Sequence, residues 1–346
     1  MARKPNPYGL HRVLQPKGVF PQAALKIDPT LPLATDEMLI QVDRLNIDSA
    51  SFHEISQSEK GDLKKIEKKI LSIIQSRGKM HNPVTNSGGM LLGTIKQIGK
   101  NFPQKKFKVG DRVATLVSLS LTPLSIDKIL EVISEKEQVL VKGHAILFAS
   151  GIAQKIPNDL PETLVLSVLD VCGAPALVSQ YCKKLKKSRG KKTIIILGAG
   201  KAGMLSAAAA KKILKDKARV IVLEKNLEAV KKGRSLSFVD DIFQADLLDA
   251  SKTMMQIDKM THGHMGDLVV NCVNVPGTEM SSILSAKKNG TVLFFNMATN
   301  FQKAVLGAEG VGHETQLLMG NGYYPGHGDL ALNLIRLDKK LRNWFE

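Results

Sequence analysis

Polar and apolar positions alternate through the first third of the chain, whereas the last half carries short, continuous apolar runs. Residues 37–43 (Glu37-Met-Leu-Ile-Gln-Val-Asp43) have the period-two pattern of a half-buried strand, and residues 93–99 resemble it. Residues 107–117 place a turn at Gly110 and Asp111 and then a further strand. Between these strands, residues 61–75 are rich in lysine and isoleucine at helical spacing. They predict an amphipathic helix inserted into a β-rich domain. Asn158-Asp-Leu-Pro161 closes this part. Residues 162–185 then read as helical, with a break around Gly173 and Pro175.

From Thr193 the pattern changes. Strand-like runs at 193–197, 219–223, 240–244, 268–272, 291–295 and 316–319 alternate with helical segments, and 329–345 is a final amphipathic helix. Such alternation predicts an α/β domain with a doubly wound parallel sheet of the Rossmann type and right-handed crossovers. The expected division is 1–160, with the helical insertion near 60–76, and 161–346.

The first run of the second domain empties into Gly198-Ala-Gly200-Lys-Ala-Gly203, followed by an alanine-rich helix from Met204 to about Lys215. Gly198 permits a tight turn, Gly200 lets backbone approach a pyrophosphate, and Gly203 lets helix and strand pack closely. The second run ends at Glu224, about 20 residues on, where a carboxylate accepts from a ribose 2′-OH. The fingerprint therefore predicts a bound dinucleotide. Gly198, Gly200, Lys201, Ala202, Gly203, Glu224 and Lys225 form its near half. Glu224 favours NAD by repelling a 2′-phosphate, while Lys225 beside it leaves NADP open. Ligands of such sheets sit beyond the strand carboxyl ends, so Asn271, Val273 and Asn296 are expected along the nicotinamide half.

Composition narrows the partners. The 346 residues carry a formal charge of +17, but aromatics are only 5% and do not interleave with the lysines. The lysine clusters fall on helix faces and beside turns, so nucleic acid is not an expected partner. No apolar run nears the roughly 20 residues of a membrane span, and no apolar segment of a secretory leader follows the charged start. Neither membrane binding nor export is expected. Cys172, Cys182 and Cys272 show no ligand spacing, which fits a reducing cytoplasm and makes no case for a metal.

Polar side chains suited to proton transfer concentrate in four segments. Asn46-Ile-Asp48-Ser-Ala-Ser51-Phe-His53 could turn Asp48, Ser51 and His53 to one site, or could simply be an Asx turn leading into a helix. His81, Asn86 and Ser87 form a second cleft candidate, and Glu309 and His313 a third. Residues 320–328, rich in glycine and polar aromatics, would be a substrate-facing loop carrying Tyr324 and His327, or a mobile surface turn.

The order of parts resembles the medium-chain dehydrogenase/reductase superfamily, which implies a GroES-like β-rich half before a Rossmann half. The catalytic zinc ligands of its alcohol dehydrogenases are missing. The cysteine region reads Ile47-Asp48-Ser49, the Gly-His-Glu position reads Ser87-Gly88-Gly89, and the four-cysteine lobe is absent. The chain also stops after one helix beyond the sixth strand. A closer likeness runs through Asn6-Pro-Tyr-Gly-Leu-His-Arg12, Pro21-Gln22, Leu45-Asn-Ile-Asp-Ser-Ala-Ser-Phe52, Asn86-Ser-Gly-Gly-Met90, Asn296-Met-Ala-Thr-Asn-Phe301 and Gly322-Tyr-Tyr-Pro-Gly-His327. These segments resemble the L-erythro-3,5-diaminohexanoate dehydrogenase family of lysine fermentation. The resemblance implies NAD(P)-dependent oxidative deamination of a small diamino acid to 5-amino-3-oxohexanoate and ammonia, without a metal. It casts Asp48 as ammonium anchor or base, His327 or Tyr324 as proton carrier, and Ser51 and Asn86 as hydrogen-bonding partners. A homodimer is implied by the superfamily. The rival readings are a zinc-free NADPH-dependent enoyl or quinone reductase and a non-enzymatic Rossmann-fold binding module.

Overall fold

The computed structural model describes residues 5–345, so the extreme charged start, residues 1–4, lies outside the described residues. The chain divides into two compact units, Met1–Leu166 and Ser167–Glu346.

The first unit opens with a short antiparallel pair, β1 (Val13–Gln15) and β2 (Lys26–Ile27). Its main elements are β3 (Met38–Asn46), α1 (Ser49–Ser58), α2 (Leu63–Arg77), β4 (Met90–Ile98), β5 (Arg112–Thr115), β6 (Leu124–Ile133), β7 (Gln138–Leu147) and β8 (Ala153–Lys155). Six strands form one antiparallel sheet in the order β6-β7-β3-β4-β5-β8. On β3, Met38, Ile40 and Val42 are buried while Gln41 is exposed, which is the alternation of a sheet with one covered face. The inserted helix is α2. Asp62 caps it by accepting from the Lys64 and Lys65 N–H groups, and Gly78, at φ +68°, ends it. Ile66, Ile70, Ile73 and Ile74 recur at helical spacing and all join the core. Each such burial is worth about 1.5–3 kcal/mol. The β6–β7 hairpin lies outside the elements that the sequence pattern predicts, and helix α1 is the helix into which the Asx-turn alternative leads.

A buried ion pair fixes the entry to β3. Arg12, fully buried, donates from Nε and Nη2 to the Glu37 carboxylate (Nη2–Oε2 2.6 Å) and from Nη1 to the carbonyls of Asp28 and Thr30. Burial alone would raise the Glu37 pKa. Hydrogen bonds from Arg12, His11 and the Ala34 N–H outweigh it and hold the carboxyl down to about 2.

The division between the units falls within α3 (Glu162–Leu169). The second unit contains α4 (Gly173–Leu185), β9 (Lys192–Leu197), α5 (Lys201–Leu214), β10 (Ala218–Glu224), α6 (Leu227–Gly233), β11 (Asp241–Gln244), α7 (Ala250–Thr261), β12 (Gly266–Asn271), α8 (Glu279–Leu284), β13 (Ala286–Phe294), α9 (Phe301–Gly310), β14 (Gln316–Met319), α10 (His327–Leu337) and α11 (Lys339–Arg342). Its six strands are all parallel, in the order β11-β10-β9-β12-β13-β14, so the topological switch lies between β9 and β12. Ile194–Leu197, Val220–Leu223 and Leu268–Val270 are fully buried, as expected of parallel strands covered on both faces.

Several boundaries differ from the sequence reading by a few residues, and three have a local cause. Helix α5 begins at Lys201, three residues early, directly on the fingerprint. The helical break comes at residues 170–172, directly before Gly173, and does not reach Pro175. That proline sits in the first turn of α4, where its missing N–H has no intrahelical partner to lose. The final helix is split at Asp338, whose extended backbone and side chain, accepting from the Leu341 N–H, cap α11 instead of continuing α10. No single helix among the described residues is long and apolar enough to cross a membrane.

Candidate active site

In the second unit, β9 ends at Leu197 and Gly198 turns the chain at φ +93°. A side chain there would meet the Val273 Cγ2 atom at 2.9 Å, and one at Gly203 would strike the Gly198 carbonyl oxygen. Gly200 is different. A Cβ on it would find nothing within 4 Å, so the loop faces open space where a pyrophosphate would lie. The N–H groups of Lys201, Ala202 and Gly203 precede the first helical bond of α5, from Met204 N to the Gly200 carbonyl (3.0 Å). These donors and the positive end of the helix dipole form an anion cradle.

The peptide of Ala199, at the centre of the fingerprint, is held on both sides. Its N–H donates to Glu224 Oε2 (2.7 Å), and its carbonyl accepts from Trp344 Nε1 (3.0 Å). Glu224 Oε1 accepts from the Asn226 N–H (2.8 Å), so this carboxylate is pinned yet keeps lone pairs for a ribose. Beside it lies a cavity of about 170 Å³ lined by Gly198, Glu224, Lys225, Asp246, Leu247, Leu248, Val273, Val275 and Thr278. Apolar walls with carboxylates at one end suit an adenosine, so the residues present fit a dinucleotide cofactor.

Asn271, fully buried, works on the loops around the cradle. Its Nδ2 donates to Thr278 Oγ1 and Ser282 Oγ (both 2.8 Å), and its Oδ1 accepts from Val273 N and Asn296 Nδ2. Asn296 Oδ1 in turn accepts from Ala298 N and Thr299 Oγ1. Asn271 and Asn296 thus brace the loops after β12 and β13, while Val273 reaches the cavity wall.

In the first unit, Asp48 is the N-cap of α1, so the Asx turn leading into a helix is realised. The cap uses only one oxygen. Oδ1 accepts from the Ser51 N–H (3.0 Å) and from Ser87 Oγ (2.8 Å), whereas Oδ2 is buried with no hydrogen-bond partner. Behind it, the hydroxyls of Ser51, Thr85 and Ser87 close a triangle with sides of 2.6, 2.8 and 2.9 Å. Asn82, fully buried, donates to Glu54 Oε2 (2.7 Å) and so ties the same loop to the next turn of α1. Residue 88 is glycine because a side chain would strike the Met80 carbonyl, and Gly89 packs as tightly against Asn46 and Asp48. Unpaired carboxylate oxygens in such a setting attract a cationic group.

The neighbouring loop is electropositive. Lys79, fully buried, donates to the carbonyls of Pro21 (2.7 Å) and Gln22 (3.3 Å); burial, helped by Arg77, brings its pKa down to about 8. Burial, then Lys79 and Arg77, also lowers the pKa of His81. Asn86 opposes that shift without hydrogen-bonding geometry, and both His81 ring nitrogens are buried without a partner. Asn86 itself is exposed, at φ +57°, and makes no hydrogen bond to Asp48 or Ser51. His53 is largely exposed, 3.5 Å from Glu137.

Tyr324 and His327 belong to the second unit. His327 is buried at the start of α10, stacked edge-on against Tyr323 (5.5 Å between centroids), and Tyr324 is half-buried. Their loop presses Gly322 against Gly173 of α4, where no side chain would fit. His313 bonds the Ala286 carbonyl (3.0 Å) and Glu309 is exposed near the end of α9. All three cysteines are free, and burial pushes the Cys172 and Cys182 thiols up to about 12. Among the described residues, no three His, Cys, Asp or Glu side chains gather as a metal-binding group.

Sequence reasoning places Asp48 and Ser51 in one candidate segment and Ser87 in another, which the structure brings together, and it misses Thr85, Asp246 and Trp344. Asp246 follows β11 at its carboxyl end, and the rule that found Glu224 would have found it. Thr85 lies in the polar run that already held Ser87. Nothing in the sequence ties Trp344 to the fingerprint 145 residues away.

Comparison with known proteins gives consistent results. The N-terminal domain model of L-erythro-3,5-diaminohexanoate dehydrogenase matches residues 11–157. Two curated proteins of that name, from Acetoanaerobium sticklandii and Fusobacterium nucleatum subsp. nucleatum, are each 46% identical over 340 and 343 residues. Each comparison covers 98% of this chain and 97% of the relative. Among solved structures, AibC has a TM-score of 0.55 at 19% identity, covering 91% of this chain and 85% of its own. The CurK enoyl reductase has 0.55 at 16%, covering 96% and 86%. Likeness at that identity speaks for fold alone, here the GroES-like plus Rossmann arrangement of medium-chain dehydrogenases.

Proposed function

The chain belongs to the L-erythro-3,5-diaminohexanoate dehydrogenase family, and from that premise we propose that it oxidatively deaminates the 3-amino group of L-erythro-3,5-diaminohexanoate. The products are 5-amino-3-oxohexanoate and ammonia, and the 46% identity over nearly the whole of both relatives carries this reading.

A nicotinamide cofactor, when bound, supplies the acceptor for the hydride leaving C3. NAD is the proposed species. The residues to hold it are the fingerprint from Gly198 to Gly203 with Lys201 and Ala202, then Glu224 and Val273, with Asn271 and Asn296 bracing the loops. For the chain's own chemistry, Asp48 is the anchor and base. Its Oδ1 is taken by Ser51 N and Ser87 Oγ, so Oδ2 is the oxygen left for the substrate ammonium. Removal of one proton exposes the nitrogen lone pair, which drives hydride loss from C3 without a metal. Water then adds to the resulting iminium carbon and ammonia departs. Tyr324 or His327 is the proposed proton carrier for that step, and Ser51 and Asn86 are proposed hydrogen-bonding partners.

The site of action is proposed to be the cytoplasm, which the three free cysteines support. A homodimer is proposed on the superfamily likeness, with β14 as the free edge of its sheet; light scattering at a dimer mass tests it. The activity is tested by supplying L-erythro-3,5-diaminohexanoate and NAD+ after dialysis against a chelator. One NADH and one ammonia per substrate are expected. NADPH-dependent reduction of an enone or quinone, with no ammonia from the diamine, would replace this reading.

A further inference from the structure

The adenosine cavity holds three charged side chains, and their pairing bears on which cofactor it accepts. Glu224 cannot swing aside, because Ala199 N and Asn226 N each hold one of its oxygens. Lys225, next in the chain, is the cation a 2′-phosphate would seek. Its ammonium instead lies 2.8 Å from Asp246 Oδ2. Asp246 is fixed as well, since its Oδ1 accepts from the Leu248 N–H (3.1 Å). The Lys225 backbone is tied to the same strand by Gln244, whose Nε2 donates to the Lys225 carbonyl (3.1 Å). The Lys225 ammonium, with the Leu248 N–H, keeps the Asp246 carboxyl below the usual carboxylate range, so it remains charged at neutral pH. Two carboxylates and one ammonium therefore line a single cavity, with one negative charge in excess.

We propose that Asp246 is a second specificity residue of this cavity: by holding the Lys225 ammonium it denies a 2′-phosphate its cation and reserves the site for NAD. The inference rests on the nicotinamide reading above and extends it to a residue just beyond the carboxyl end of β11. A phosphate brought to this site would meet a pinned Glu224 and a lysine already satisfied, and could recruit Lys225 only by leaving Asp246 bare beside it. Without Asp246 the same lysine is free to turn to the phosphate. Specificity would then be set by a pair of residues at the carboxyl ends of neighbouring strands, not by Glu224 alone.

Titration calorimetry of the full chain with NAD+ and with NADP+ tests this. The unaltered protein is expected to bind NAD+ more tightly. In Asp246→Asn, the ratio of the NADP+ to the NAD+ dissociation constant should fall about fivefold, the scale of an exposed ion pair released to a new partner. The double variant Asp246→Asn with Lys225→Gln should lose that gain, because the freed lysine is what produces it. An unchanged ratio in Asp246→Asn, or a gain that survives the loss of Lys225, would overturn the proposal. So would tighter binding of NADP+ by the unaltered protein. Binding of neither nucleotide would overturn the cofactor reading itself, a result distinct from all of these.

Discussion

The fingerprint cradle and the Asp48 cluster are built by different means. The cradle is mostly backbone. Gly198 supplies a left-handed turn, Gly200 leaves room and α5 offers N–H groups, all within six consecutive residues. The Asp48 cluster is almost entirely side chain. It gathers Asp48 and Ser51 from the start of α1 and Thr85 and Ser87 from a loop beyond α2. A site made of backbone tolerates many side chains but almost no change at its glycines. A site made of hydroxyls and one carboxylate should show graded losses, each traceable to a single group.

That contrast can be broken at its strongest point first. Gly200→Val places its Cβ where no atom beyond the chain neighbours lies within 4 Å, at a backbone conformation any residue adopts. The melting temperature should stay within a degree or two while cofactor affinity falls about 100-fold, near 2.7 kcal/mol. Calorimetry beside a thermal melt checks both halves, and a variant that still binds NAD+ normally would remove the cradle from the account.

The scaffolds beneath the two regions differ as well. The second unit's central strands are aliphatic, whereas the first unit anchors β3 on the buried Arg12–Glu37 pair. Glu37 titrates at about 2 when folded, against an ordinary 4.5. Because the folded value is the lower one, the stabilisation is complete above about pH 4.5 and is lost as pH falls toward 2. It amounts to about 3 kcal/mol. Circular-dichroism melts should show this acid loss in the wild type. In Glu37→Gln the protein should already be destabilised at neutral pH, with a flatter profile over that window.

The smallest effect expected concerns Ser87, which donates to Asp48 Oδ1 and so holds the carboxylate in place. Ser87→Ala should lower kcat/KM for the diamine about tenfold, within the range of a lost hydrogen bond to a charged group. Ser87→Thr, which keeps the hydroxyl, should restore the rate. A loss that Ser87→Thr does not restore would mark Ser87 as structural packing only.

How much of this could be read from the sequence follows the same division. The Gly198–Gly203 fingerprint and Glu224 are legible because glycine and strand-end requirements are local. Helix α2 is legible for the same reason, with isoleucines at 66, 70, 73 and 74. The hydroxyl triangle is not, because spacing cannot tell that a loop at 85–87 returns to residue 51. Nor can pattern find the break at Asp338, since apolar positions continue across it and only the cap geometry divides the helix. Asp48 shows the overlap most plainly. The helix cap uses one carboxylate oxygen, and the proposed anchor role falls to the other, which has no partner.

The account rests on Asp48 Oδ2 acting on the amine while the cradle holds the nucleotide. Its most direct test is Asp48→Asn, with kcat/KM for L-erythro-3,5-diaminohexanoate and the dissociation constant for NAD+ measured on the same preparation. The asparagine keeps the cap through its carbonyl, so the fold and the NAD+ dissociation constant should be preserved while kcat/KM falls by a factor on the order of 10³. Turnover within twofold of the wild type would contradict the account.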